Sequence, residues 1–96
     1  MTLDEYRLVI FRKVTSCSGE LAGQWIIDEA AGELETGNIS AVDRTSFWRQ
    51  LNADLSAESR KRHLIIEKQG AASLSQIIAA AQAVIAQHQA QATARK

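Results

Sequence analysis

Residues 74–91 read LSQIIAAAQAVIAQHQAQ. Leu74, Ile77, Ile78, Ala81, Val84, Ile85 and His88 recur at spacings of three and four, so a helix gathers them on one side. Ser75, Gln76, Ala79, Ala83, Ala86, Gln87 and Ala90 fall on the other. Ser73 with Gln76 has the form of a capping box, and Gly70 upstream lets the chain turn. Eighteen residues at 1.5 Å each make a rod of roughly 27 Å, long enough to cross a small domain. A solvated helix face usually carries Lys and Glu, whereas this one carries Ala and Gln. No charged residue stands between Lys68 and Arg95. The stretch predicts a long C-terminal helix with an inner side for the core and an uncharged outer side suited to a partner.

Upstream, Thr2 and Glu5 form a capping box, and Asp4 and Glu5 suit the positive end of a helix dipole. Leu3, Tyr6, Ile10, Val14 and Cys17 then share a helical face, while Leu8, Val9 and Phe11 lie off it. Residues 6–15 are also rich in β-formers, so a strand there is the alternative. Gly19 is read as the end of this element. From Glu20 to Glu35, Ile26, Ile27, Ala30 and Leu34 form an inward stripe, with Gly23 placed for close backbone packing. Gly23 and Gly32 each cost a helix about 1 kcal/mol relative to Ala. Thr36-Gly37-Asn38 is a left-handed stop. Ser40 and Asp43 open a third helix with Phe47, Trp48, Leu51 and Leu55 inward. Ser56 is read as the cap of a fourth, over 57–69, where the consecutive Leu64, Ile65 and Ile66 leave a strand over 62–68 as the alternative. The expectation is an all-α fold, one domain over residues 1–96. Its architecture is a small bundle of four to five helices with a long C-terminal helix. The alternative is α+β with strands near 6–15 and 62–68.

Composition points the same way. Of 96 residues, 46% are apolar and 23% charged, with no Pro and five Gly, which suits helices better than a turn-rich sheet. A single cysteine, Cys17, excludes an internal disulfide framework and fits a reducing compartment. The acidic N-terminus lacks the basic region of a secretory signal, and no apolar run is long enough for a membrane span. A cytoplasmic location is expected. The net charge is zero, but residues 1–36 hold seven acidic against three basic residues, and residues 37–96 hold eight basic against four acidic. Such polarity steers partners or favours head-to-tail self-association.

Few residues suggest chemistry. Arg60-Lys61-Arg62-His63 is the one compact basic cluster, and it supplies phosphate contacts if the protein binds nucleic acid. The glycines and apolar positions of residues 22–50 do not fit a helix-turn-helix. His63 and Glu67 offer two metal ligands where a site needs three or four. Cys17 lies at a helix C-terminus, where the dipole disfavours a thiolate, and His88 lies on an apolar stripe. No catalytic triad order, phosphate loop or paired carboxylates stand out. Neither an enzyme, a metal, a cofactor nor a small-molecule substrate is expected. Trp25 is more informative, because it points with Leu21 and Gly32 away from the inward stripe, and Trp is enriched in interface hot spots. The expected function is a non-enzymatic interaction module, a small regulator or inhibitor that docks on a larger protein or on itself. Its expected binding residues are Leu21, Trp25, Ala83, Ala86 and Gln87. The alternative is a nucleic-acid-binding regulator using Arg60, Lys61 and Arg62.

Overall fold

The computed structural model describes the backbone of residues 1–64 and 71–94 and the side chains of residues 1–61 and 74–92. Four helices follow one another: α1 (Leu3–Ser16), α2 (Glu20–Thr36), α3 (Ala41–Leu64) and α4 (Ala71–Ala94). Among the described residues there is no strand. The strand alternative over 6–15 is therefore wrong, and the reason is visible at both ends of the packing argument. Glu5 N donates to Thr2 Oγ1 at 3.1 Å and Thr2 N donates to Glu5 Oε1 at 2.8 Å, so the box that starts α1 is complete. Ile10 and Val14 then bury on one side while Leu8 stays exposed, a helical period that a strand cannot satisfy. Of the second proposed strand, 62–64 are helical, and 65–68 lie outside the described residues.

Three boundaries differ from the local signals, at Gly19, at Ser56 and at the start of α4, while the stop over Thr36-Gly37-Asn38 is left-handed as expected. Gly19 does not end α1, which stops at Cys17, but begins α2 as its N-cap. The left-handed residue after α2 is Asn38, with φ 60°, whereas Gly37 keeps φ −77°. Asn38 N donates to Glu35 O at 3.2 Å and Ile39 N to Leu34 O at 3.3 Å, which satisfies two terminal carbonyls and folds Ile39 back onto the core. Ser40 Oγ accepts from Asp43 N at 3.1 Å, opening α3 as expected. That helix then runs unbroken through Ser56, so there is no fourth short helix and no cap at Ser56. Its hydroxyl is drawn sideways instead: Gln82 Nε2 on α4 donates to Ser56 Oγ at 2.7 Å and to Asn52 O at 3.3 Å. Finally, α4 begins at Ala71, before the Ser73–Gln76 box.

The directions of the helices follow from named neighbours. Tyr6 meets Phe47 near the start of both α1 and α3, and Phe11 lies by Ala57 further along, so these two run side by side in the same sense. Trp48 meets His88 while Ser56 meets Gln82, so α3 and α4 are antiparallel. Gly23 lies against Ile77 and Asp28 against His88, so α2 and α4 run the same way. The chain therefore goes up, down, up and down, with α4 packed most heavily on α3 and α2. Its inward stripe, Ile77, Ile78, Ala81, Val84 and Ile85, is buried with Ile27, Ala30, Leu34, Phe47, Trp48, Leu51 and Leu55 in one core. Across the bundle runs an aromatic layer. Tyr6 stacks on Phe47 (5.8 Å), Phe47 packs edge-on against Trp48 (5.1 Å), and Trp48 stacks on His88 (5.6 Å). His88 Nε2 lies 2.9 Å from Asp28 Oδ1, which closes the layer onto α2.

Candidate functional site

The two tryptophans have opposite fates. Trp48 is 2% exposed, whereas Trp25 is 62% exposed and Leu21, one turn earlier on α2, is 57% exposed. The helical period explains both. With Ile27, Ala30 and Leu34 fixed inward and Gly23 against α4, residues 21, 25, 28 and 32 must face out. Gly23 brings α2 close to α4, because a Cβ there would lie 3.1 Å from Ile77 Cγ2. Gly32 is different: a Cβ at that position would meet nothing within 4 Å. The chain's own packing does not require it.

On α4, Ala79, Ala83, Ala86, Gln87 and Ala90 are all exposed. Since α2 and α4 lie side by side and in the same sense, this uncharged face and the Leu21–Trp25 ridge belong to one side of the molecule. A step of two residues from Gly23 and two from Ile77 brings Trp25 about level with the exposed Ala79, at 1.5 Å of rise per residue. Ala83, Ala86 and Gln87 continue the same side towards the C-terminal end of α4. The electrostatic frame is acidic, since Glu20, Glu29, Glu33 and Glu35 on α2 are exposed and make no ion pair with a described residue.

The basic cluster is less coherent. Arg60 and Lys61 are exposed at the end of α3, and Arg62 and His63 have side chains outside the described residues. Lys61 borders a groove between α1 and α3 together with Asp54 and Glu58, so the positive charge there is mixed with acid. Nearby, Arg7 Nε donates to Asp54 Oδ2 at 3.1 Å and Arg7 Nη1 to Asp4 Oδ1 at 2.7 Å, with a further bond to Gln50.

A small cavity of about 20 Å³ is bordered by Glu35, Arg44, Trp48 and His88 and has room for a single water molecule. No hydroxyl or thiol lines it. His88 is oriented by Asp28 and Trp48, and Arg44 donates to Ile39 O at 2.8 Å, so both side chains are held in structural bonds. Tyr6 has its pKa raised above 10, by burial first and then by the negative charges of Glu33 and Glu29. Cys17 is half-buried, its thiol against Val14 O. Among the described residues no three His, Cys, Asp or Glu side chains come together as metal ligands, and His63 and Glu67 lie outside that set.

Sequence reasoning did not single out the groove between α1 and α3. Leu8 (48% exposed), Phe11 and Ala57 form its apolar part. The available signal was that Leu8 and Phe11 lie off the inward face of α1. The groove itself needs two helices, so neither sequence segment reveals it alone.

These features define a small up-and-down four-helix bundle with one apolar-and-acidic side. Comparison with protein-family models, curated proteins and solved structures finds no match to this chain. No helix among the described residues is long and apolar enough to cross a membrane.

Proposed function

We propose that this protein is a non-enzymatic interaction module, a small regulator or inhibitor of the cytoplasm that works by docking. The observation that carries this reading is the exposed Leu21–Trp25 ridge. An exposed indole leaves its large apolar surface in water, and a partner that covers it gains that burial. The neighbouring α4 face adds uncharged area that can be desolvated at little cost, because Ala83 and Ala86 bring no polar side chain and Gln87 only a neutral amide. Half-buried Cys17 suits a reducing compartment. Nucleic-acid binding through Arg60, Lys61 and Arg62 is disfavoured by Asp54 and Glu58, which share a groove with Lys61, and by the acidity of α2.

Affinity capture from lysate tests the reading. Wild-type protein should retain a discrete partner, and Trp25→Ala should lose it, with a cost of about 2 kcal/mol or more if Trp25 is a hot spot. Because Trp25 packs against little of its own chain, the variant should keep the wild-type circular dichroism spectrum. Retention of every captured protein by Trp25→Ala and by Ala83→Glu would refute the docking surface.

A further inference from the structure

The outer face of α2 is drawn by Leu21, Trp25, Asp28 and Gly32, spaced four, three and four apart. That spacing lays the four positions in a nearly straight seam along the helix, roughly 16 Å long. Leu21 and Trp25 stand up from it, and at Gly32 the seam has a hole, since even a Cβ there would meet nothing within 4 Å. Acids line both flanks. Towards α4, Asp28 meets His88, and Glu35 borders a cavity with His88 and Arg44. Towards α1 lie Glu29 and Glu33, whose charges add to burial in raising the Tyr6 pKa. α2 holds five acidic residues and no Lys or Arg, and α4 beside it holds no Asp, Glu, Lys or Arg. α3, with Arg49, Arg60 and Lys61, packs on α1 and α4 and scarcely on α2. Arg12 and Lys13 close α1 at the Glu20 end of α2, so the stretch from Trp25 to Glu33 keeps its negative field.

We infer that this seam receives an amphipathic helix of another protein, apolar along one side and rich in Lys and Arg at the edges of that side. The inference rests on reading Trp25 as a docking anchor and adds the chemistry of what it meets. The helical form follows from the seam, because four-three spacing is matched by a second helix laid alongside, with one of its side chains seated in the hole at Gly32. The basic edges follow from charge complementarity, since acids border the seam on both sides and Glu29 and Glu33 make no ion pair with a described residue. This chain does not supply such a helix to a second copy. Leu8 and Phe11 of α1 share their groove with Asp54 and Glu58, and Arg7 there is already bound to Asp4 and Asp54. The acids of α2 also repel phosphate, which disfavours nucleic acid and anionic lipid as occupants.

The test titrates the full chain with three synthetic peptides of about 18 residues, all without Trp and long enough to form a helix on binding. One repeats Leu and Lys in an amphipathic pattern, one has Glu in place of every Lys, and one scrambles the Leu/Lys composition so that no apolar side forms. The Leu/Lys peptide should bind with a Kd of about 100 μM or tighter and shift the protein's emission to the blue as the exposed indole leaves water. Trp25→Phe, in which buried Trp48 is the only indole, should show no shift. By calorimetry, Trp25→Ala should bind the peptide at least about 30-fold more weakly, as expected for loss of a central anchor. Glu29→Gln combined with Glu33→Gln should weaken binding about 10-fold and flatten its fall as ionic strength rises from about 0.01 M to about 1 M. Gly32→Gln fills the hole with a residue that favours helix, so it should bind at least about 10-fold more weakly while melting no lower than wild type.

No binding of the Leu/Lys peptide at about 1 mM overturns the inference. So does equal affinity for the acidic or the scrambled peptide, an affinity indifferent to salt, or wild-type binding by Gly32→Gln. A blue shift caused by phosphatidylcholine vesicles and not by the peptide would assign the ridge to a lipid surface, and one caused by concentrating the protein alone would assign it to a second copy. Either result overturns the basic helix. The broader reading is separable from this one. If the peptide fails but a lysate protein is still captured in a Trp25-dependent way, the basic helix falls and the interaction module stands. If Trp25→Ala changes neither measurement, both fall.

Discussion

Gly23 and Gly32 occupy one helix nine residues apart and make opposite demands on it. Gly23 is buried, and a methyl group there would sit 3.1 Å from Ile77 Cγ2 and 3.7 Å from Cys17 Sγ, where α2 packs on α4. At Gly32 the same methyl would meet open space. Ala is favoured over Gly inside a helix by about 1 kcal/mol, so Gly32→Ala should gain that amount in full. For a domain of this size that is a rise in melting temperature of roughly 4–8 °C. Gly23→Ala has the same propensity gain but must push Ile77 by a few tenths of an ångström against a packed core, so its net gain should be smaller or negative. Thermal melts of the two variants check this directly, and equal stabilisation would mean that α2 and α4 are not in close contact at Gly23. The pattern of residues placed Gly23 beside the inward stripe and Gly32 with Trp25, which is enough to separate the two. It did not distinguish Gly37 from Asn38 as the left-handed residue, because either side chain tolerates that conformation and the choice is made by which carbonyls the next amides reach.

The elements were legible wherever one local signal sufficed. The Thr2–Glu5 box, the three-and-four spacing of α4 and the inward face of α3 all needed no knowledge of distant residues. The continuity of α3 through Ser56 was not legible, because Ser followed by Ala and Glu is also how a helix begins. What decides the matter is Gln82, 26 residues away, whose amide occupies the Ser56 hydroxyl. The groove by Leu8 and the His88–Asp28 contact, 60 residues apart, were hidden for the same reason. α4 also allows a sharp test of its two faces. Ile78 and Ile85 are fully buried, so truncating either to Ala should cost about 2–5 kcal/mol. Ala83 is exposed on the same helix, and Ala83→Glu should change stability by less than about 0.5 kcal/mol in the monomer. Chemical denaturation of the three variants, at concentrations low enough to exclude association, supplies the numbers. A large loss in Ala83→Glu would mean that the outer face of α4 is covered within the monomer.

At the scale of the whole molecule, the question is whether four helices with such unequal contacts unfold as one. α1 is short and packs less heavily than α4, which touches both α2 and α3 along much of its length. Yet Ile10 and Val14 of α1 belong to the same core as Ile27, Leu51 and Ile85, and Tyr6 begins the aromatic layer that continues through Phe47 and Trp48 to His88. Detaching α1 would expose Ile10, Val14 and part of that layer, a loss of several kcal/mol against a total stability of about 5–14 kcal/mol for a domain of this length. A state lacking α1 therefore has little to hold the remaining core together, and unfolding should be a single transition. The tryptophans make this measurable. In Trp25→Phe, the only remaining indole is Trp48, buried at the centre of the layer, so its fluorescence reports the core alone. Circular dichroism reports all four helices, including α1. The two melting curves of this variant should superimpose, with the same midpoint and the same slope in denaturant. A circular dichroism change that precedes the Trp48 signal would show α1 leaving first, and the bundle would then be a three-helix core with a detachable N-terminal helix.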